Sequence, residues 1–143
     1  MHYRFHEGSI EIPDDWNDES MNIFKAPIES GYNLVISRER VPKAIDPKAH
    51  RVAQRKIIAE SLIGFSLRER RPITLDGDET EWMEYGWNSP QGPMSQVNIL
   101  RIVDQSLVSF TFTSARPFTD ADRQLFDHIV RTYKAPPAPE KAS

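Results

Sequence analysis

In the run Leu107-Val108-Ser109-Phe110-Thr111-Phe112-Thr113, bulky and small residues alternate from Val108 onward. In a strand, Val108, Phe110 and Phe112 then share one face, and Leu107, Ser109, Thr111 and Thr113 share the other. The first face is apolar enough to be buried against a helix. The second is small and polar. Met94–Val103 repeats the pattern: Met94, Gln96, Asn98 and Leu100 lie on one side, Val97, Ile99 and Val103 on the other. A chain with two such strands needs a sheet with two unlike faces.

The remaining elements follow from turn and cap signals. Tyr3, Phe5 and Ser9-Ile10-Glu11-Ile12 are short alternating runs, closed by the turn Pro13-Asp14-Asp15. Met21-Asn22-Ile23-Phe24 and Asn33-Leu34-Val35-Ile36-Ser37 are the next strands, separated by Pro27 and Ser30-Gly31. Asp46 caps a first helix with Pro47 at its first position, and Gly64 is the expected stop. Strands follow at Arg71–Leu75, Glu81–Trp87 and Met94–Val103, turned by Asp76-Gly77-Asp78 and Asn88–Pro93. Thr119, with Asp122 three residues on, opens a last helix with the stripe Leu125, Phe126, Ile129, Val130 and Tyr133. The order β-β-β-β-α-β-β-β-β-α predicts an α+β fold, an antiparallel sheet flanked by two main helices. Residues 1–134 read as a single domain. Residues 135–143 hold three prolines in nine positions and read as a disordered tail.

Composition narrows the function classes. The 143 residues include no cysteine, which removes disulfides, thiol nucleophiles and thiolate metal sites. A net charge of −3 supplies no basic field for nucleic acid. No stretch approaches the roughly 20 apolar residues that a membrane helix needs, so stable membrane insertion is not expected. Met1-His2-Tyr3-Arg4-Phe5-His6-Glu7 has no apolar run behind its charge and does not read as a secretory signal. A cytoplasmic location is the expectation.

Catalytic signals are missing. His2, His6, His50 and His128 show no metal-ligand spacing, and the chain has no nucleophile elbow, phosphate loop or dinucleotide fingerprint. Asp76-Gly77-Asp78-Glu79-Thr80-Glu81 lacks the register of a calcium loop and reads as a solvated turn. Glu81 and Glu84 fall on opposite strand faces and make a poor acid–base pair. Arg38-Glu39-Arg40 and Arg68-Glu69-Arg70-Arg71 read as charges guarding edge strands. The expectation is no enzyme, no metal and no cofactor.

The first helix is unusual. Its apolar positions, Ala49, Val52, Ala53, Ile57, Ile58, Leu62, Ile63 and Phe65, form a stripe too wide for one buried face. Gln54, Ile58, Ser61 and Leu62 share one side; Ala53, Ile57 and Phe65 lie partly on another. One stripe can pack on the sheet while the other meets a partner, or both can be buried. The small polar sheet face has two readings as well, a solvated surface or a concave binding surface with polar anchors.

His6-Glu7-Gly8-Ser9-Ile10-Glu11-Ile12-Pro13-Asp14-Asp15-Trp16, followed by Met21–Phe24, resembles the start of the DcrB-like domain family. Leu107–Thr113, then Phe118-Thr119 opening a terminal helix, resembles its end. Within that family the chain is similar to the Eag-type (effector-associated) chaperones of bacterial type VI secretion. The resemblance implies a PsbP-like α/β/α sandwich and a homodimer in the cytoplasm, with no cofactor. It implies a client, the hydrophobic N-terminal transmembrane segments of an effector with a PAAR domain, and through the effector a link to the VgrG spike. The family's groove positions fall on Met21, Ile23, Val35, Gln54, Ile58, Leu62, Gln96 and Asn98. A one-residue slip in the early strands would exchange their faces, making Asn22 and Phe24 the alternative pair. The other readings are a non-catalytic accessory module, or a lipid or small-molecule carrier using the same groove.

Overall fold

In the computed structural model, which describes residues 1–136, strands β1 (His2–Phe5) and β2 (Gly8–Glu11) form a hairpin of their own. The expected tail falls outside the described residues from position 137 onward. Six further strands make one antiparallel sheet. They are β3 (Met21–Lys25), β4 (Tyr32–Arg40), β5 (Ser66–Leu75), β6 (Asp78–Ser89), β7 (Gly92–Val103) and β8 (Ser106–Ser114). Their spatial order is β3-β4-β8-β7-β6-β5. Helix α1 (Pro47–Ser61) lies on one face and α2 (Asp120–Arg131) on the other, a three-layer α+β sandwich.

Two of the two-residue hairpin turns hold left-handed residues at both positions. Asp76 and Gly77 (φ 46° and 81°) join β5 to β6, and Asp104 and Gln105 (φ 47° and 68°) join β7 to β8. Left-handed residues at both loop positions match the strand twist. Asp-Gly is a favoured pair for that geometry; a glutamine in the left-handed region is not.

The core lies between the sheet and α2. Trp82, Val97, Ile99, Phe110 and Phe112 meet Phe126 and Val130 of the helix. Phe112 and Phe126 stack with centroids 4.1 Å apart. The capping box forms as expected, with Thr119 Oγ1 accepting from Asp122 N and Asp122 Oδ2 accepting from Thr119 N. Arg116 donates to the same Asp122 oxygen at 2.8 Å and holds that carboxyl below the usual range, with Thr119 adding to the effect. Glu84, 1% exposed under α2, accepts from Arg123 Nε at 2.8 Å and Nη2 at 3.0 Å.

Helix α1 attaches differently. Asp46 caps it, accepting from Ala49 N at 3.1 Å. Arg55 is its only buried residue, whereas Val52 and Ile57 are 65% and 52% exposed. The wide stripe is therefore not covered on both sides within the chain. The helix ends at Ser61 with Leu62 as its cap, three residues before the segment's entry into β5 is complete. Gly64 (φ 68°) makes the following turn instead of stopping the helix directly. A side chain there would also strike the Asn88 side chain, while the Asn88 backbone N–H donates to Ile63 O at 2.7 Å.

The two sheet edges differ. β5 carries Arg68-Glu69-Arg70-Arg71-Pro72, the charge guard expected from sequence. Edge strand β3 carries Met21, Ile23 and Phe24, all more than half exposed. Arg38-Glu39-Arg40 sits in β4, which is an inner strand; these three residues pair with β8 beyond the end of β3.

Candidate binding face beneath α1

Strand register decides which side chains share the face under α1, because directly opposed residues point the same way. One row runs Ile23–Val35–Thr111–Asn98–Met83 across five strands. A second runs Lys25–Asn33–Thr113–Gln96–Tyr85, and a third begins Met21–Ser37–Ser109–Leu100. Met21, Ile23, Val35, Gln96 and Asn98 therefore lie on one face. Asn22 and Phe24 pair with Ile36 and Leu34 and point to the α2 side.

The polar middle of this face is internally bonded. Asn98 Nδ2 donates to Ser109 Oγ at 2.9 Å and Thr111 Oγ1 at 3.0 Å, and Gln96 Nε2 donates to Thr113 Oγ1 at 3.0 Å. The amide oxygens of Asn33 and Asn98 are buried with no hydrogen-bond partner among the described residues. At the β3 end the face becomes apolar and open, with Met21 61% and Ile23 57% exposed. Val35 is half-buried between them and the polar rows.

Two contacts orient α1. His50 Nε2 lies 3.5 Å from Glu39 Oε1 on β4, and Arg51 Nη1 donates to Asp78 Oδ2 on β6 at 3.1 Å. The helix thus lies between these strands, and its flanks look toward opposite edges of the sheet. Helical spacing puts Gln54 and Ile58 on the flank of His50. Both are half-buried, as is Leu62 at the cap; Ser61 is exposed. Arg55 sits between the flanks, its Nη1 donating to Asn98 O at 3.1 Å and its Nη2 to Glu81 O. Burial pulls its pKa down to about 10 and pushes the nearby Tyr85 phenol up to about 12.

The hydroxyl row was visible in the alternation of Leu107–Thr113. Arg55 was not singled out from the sequence, since nothing local distinguishes it from Arg51 or Lys56. Among the described residues no group of three or more His, Asp or Glu side chains could hold a metal ion, and no helix is long and apolar enough to cross a membrane.

The chain is similar to several known proteins. The chain is 39% identical over 89 residues to Effector EagT6 of Pseudomonas aeruginosa PAO1, a match spanning 59% of this chain and 61% of that protein. It superposes on the crystal structure of PA94 from P. aeruginosa, a protein of unknown function, with a TM-score of 0.73 and 28% identity. That alignment covers 96% of this chain and 98% of the other. Cyanobacterial PsbP (CyanoP) from Synechocystis sp. PCC 6803 shares the fold at a TM-score of 0.57 and 16% identity, over 86% and 77% of the two chains. The resemblance read from the sequence is matched by a family assignment over residues 7–132, and the chain belongs to the DcrB family.

Proposed function

We propose that the protein is a cytoplasmic, non-catalytic chaperone for an effector of a type VI secretion system. Its client is the hydrophobic N-terminal transmembrane segment, or segments, of an effector that carries a PAAR domain. It shields them from water until the effector is loaded on the VgrG spike, and it works as a homodimer. The similarity to Effector EagT6 supports the effector association. The observation that carries the reading is the sheet face shared by exposed Met21 and Ile23, half-buried Val35, and the amides Gln96 and Asn98; Gln54, Ile58 and Leu62 are proposed to complete it from the neighbouring flank of α1.

A membrane helix in water exposes a continuous apolar surface and aggregates. Laid between α1 and β3, it buries that surface as a helix in a groove. Amides and hydroxyls beneath it meet the Ser, Thr and close backbone approaches that such helices use among themselves. Affinity purification of tagged protein, with co-purifying chains identified by mass spectrometry, tests the reading. It predicts an effector with apolar N-terminal segments, lost when those segments are deleted. Recovery of the deleted effector at full yield contradicts it.

A further inference from the structure

The other flank of α1 covers a separate cavity of about 880 Å³ between the helix and the β5–β6 pair. It shares Met83 with the face described above but none of Gln54, Ile58, Leu62, Gln96 or Asn98. Its two ends differ. Near the β5–β6 turn it is bounded by Lys48, Arg51, Asp78 and Thr80, and toward the end of α1 by Ala59, Phe65, Leu67 and Met83. Asp78 and Met83 are five residues apart on one strand, which spans about 16 Å at strand rise. A long, narrow ligand with one polar end fits such a space better than a compact one.

The charges select its sign. Arg51 and Arg101 engage Asp78, Arg70 engages Glu81, Arg71 engages Asp127, and Lys56 lies 3.9 Å from Glu60. Arg55 and Lys48, both lining the cavity, have no carboxylate within 4 Å among the described residues. Arg55 is 8% exposed and spends two of its N–H groups on carbonyl oxygens. The Glu81 carboxylate, itself paired with Arg70, offsets only part of the cost of burying this guanidinium, and burial still weakens its hold on the proton. An anion in the cavity would offset that cost.

We propose that this cavity binds a single-chain anionic amphiphile. Its carboxylate or phosphate monoester sits by Arg55 and Lys48, and its alkyl chain runs along Ala59, Phe65, Leu67 and Met83. The proposal is independent of the chaperone reading, since it uses the opposite flank of the helix.

Isothermal titration of the full chain with dodecanoate, dodecyl phosphate, dodecylammonium and inorganic phosphate tests it. The expected result is saturable binding of dodecanoate or dodecyl phosphate at one per chain, at least about tenfold tighter than dodecylammonium, and none of inorganic phosphate. A preference between the two anions identifies the head group. Ala59→Trp, at an exposed helix position, fills the cavity and should weaken binding by about tenfold or more while α-helical circular dichroism is unchanged. Arg55→Gln should erase the preference for anions. Ile23→Asp, on the same sheet face but at its β3 edge, away from the cavity, should leave the affinity unaltered. Equal binding of dodecylammonium, insensitivity to Ala59→Trp, loss of binding in Ile23→Asp, or no saturable binding at all would each overturn the assignment.

Discussion

Asn98 and Thr111 oppose one another across β7 and β8, and Asn98 Nδ2 donates to Thr111 Oγ1 at 3.0 Å. The same nitrogen donates to Ser109 Oγ, so one buried amide holds two hydroxyls of the next strand. Asn98→Ala removes both bonds and leaves a gap under α1. The expected loss is about 1–2 kcal/mol, read as a lower urea midpoint at unchanged slope.

Ile23 lies on the edge strand in line with this polar row, and Leu62 lies at the end of α1. Ile23→Asp alters an exposed side chain and should move the thermal midpoint by no more than a few degrees. It should abolish co-purification of the effector, because an unpaired carboxylate facing an apolar helix costs several kcal/mol. Leu62→Asp should do the same. Gln54→Ala should weaken the complex by about 1 kcal/mol, roughly fivefold in Kd.

Glu84 is buried and its charge is met by Arg123 alone of the α2 side chains. Arg123→Ala strands that carboxylate and should cost about 2–4 kcal/mol in chemical denaturation. Glu84→Met combined with Arg123→Leu should recover most of the loss, since an apolar pair there needs no counter-charge.

Acid should act through Asp122. The hydrogen bond from Arg116 and those from Thr119 hold its folded pKa below the unfolded value of about 3.9. The group binds fewer protons folded than unfolded, so its contribution is complete above that value and is lost as pH falls through the folded one. Urea midpoints measured between about pH 5 and pH 2 should fall less steeply in Asp122→Asn than in the parent chain.

The order of elements was legible because Asp46-Pro47, Thr119 and Asp76-Gly77 each carry a specific backbone demand. Strand β8 was legible down to its two faces, since every bulky residue from Val108 to Phe112 alternates with a hydroxyl. Strand β3 was not. Met21, Ile23 and Phe24 are apolar on both sides of the chain, so alternation carries no phase there and only pairing with β4 fixes it. Helix α1 misled for a related reason. Its periodicity recorded apolar residues, while the residues that reach the sheet include Arg51 and Arg55, which bond to a carboxylate and to backbone oxygens contributed by distant strands. Those acceptors have no local signature. Nor has the cavity beside them, whose walls come from α1, β5 and β6 together.

The unlike edges of the sheet set a limit on how it can grow. Beside β5, an approaching strand meets a line of charges, three arginines and a glutamate, and a proline that withholds its donor. Beside β3 it meets methionine, isoleucine and phenylalanine. Of the two margins, only β3 is open to a further strand. Were two copies to pair there, the joined sheet would end on both sides in a guarded β5, so extension would stop after one step.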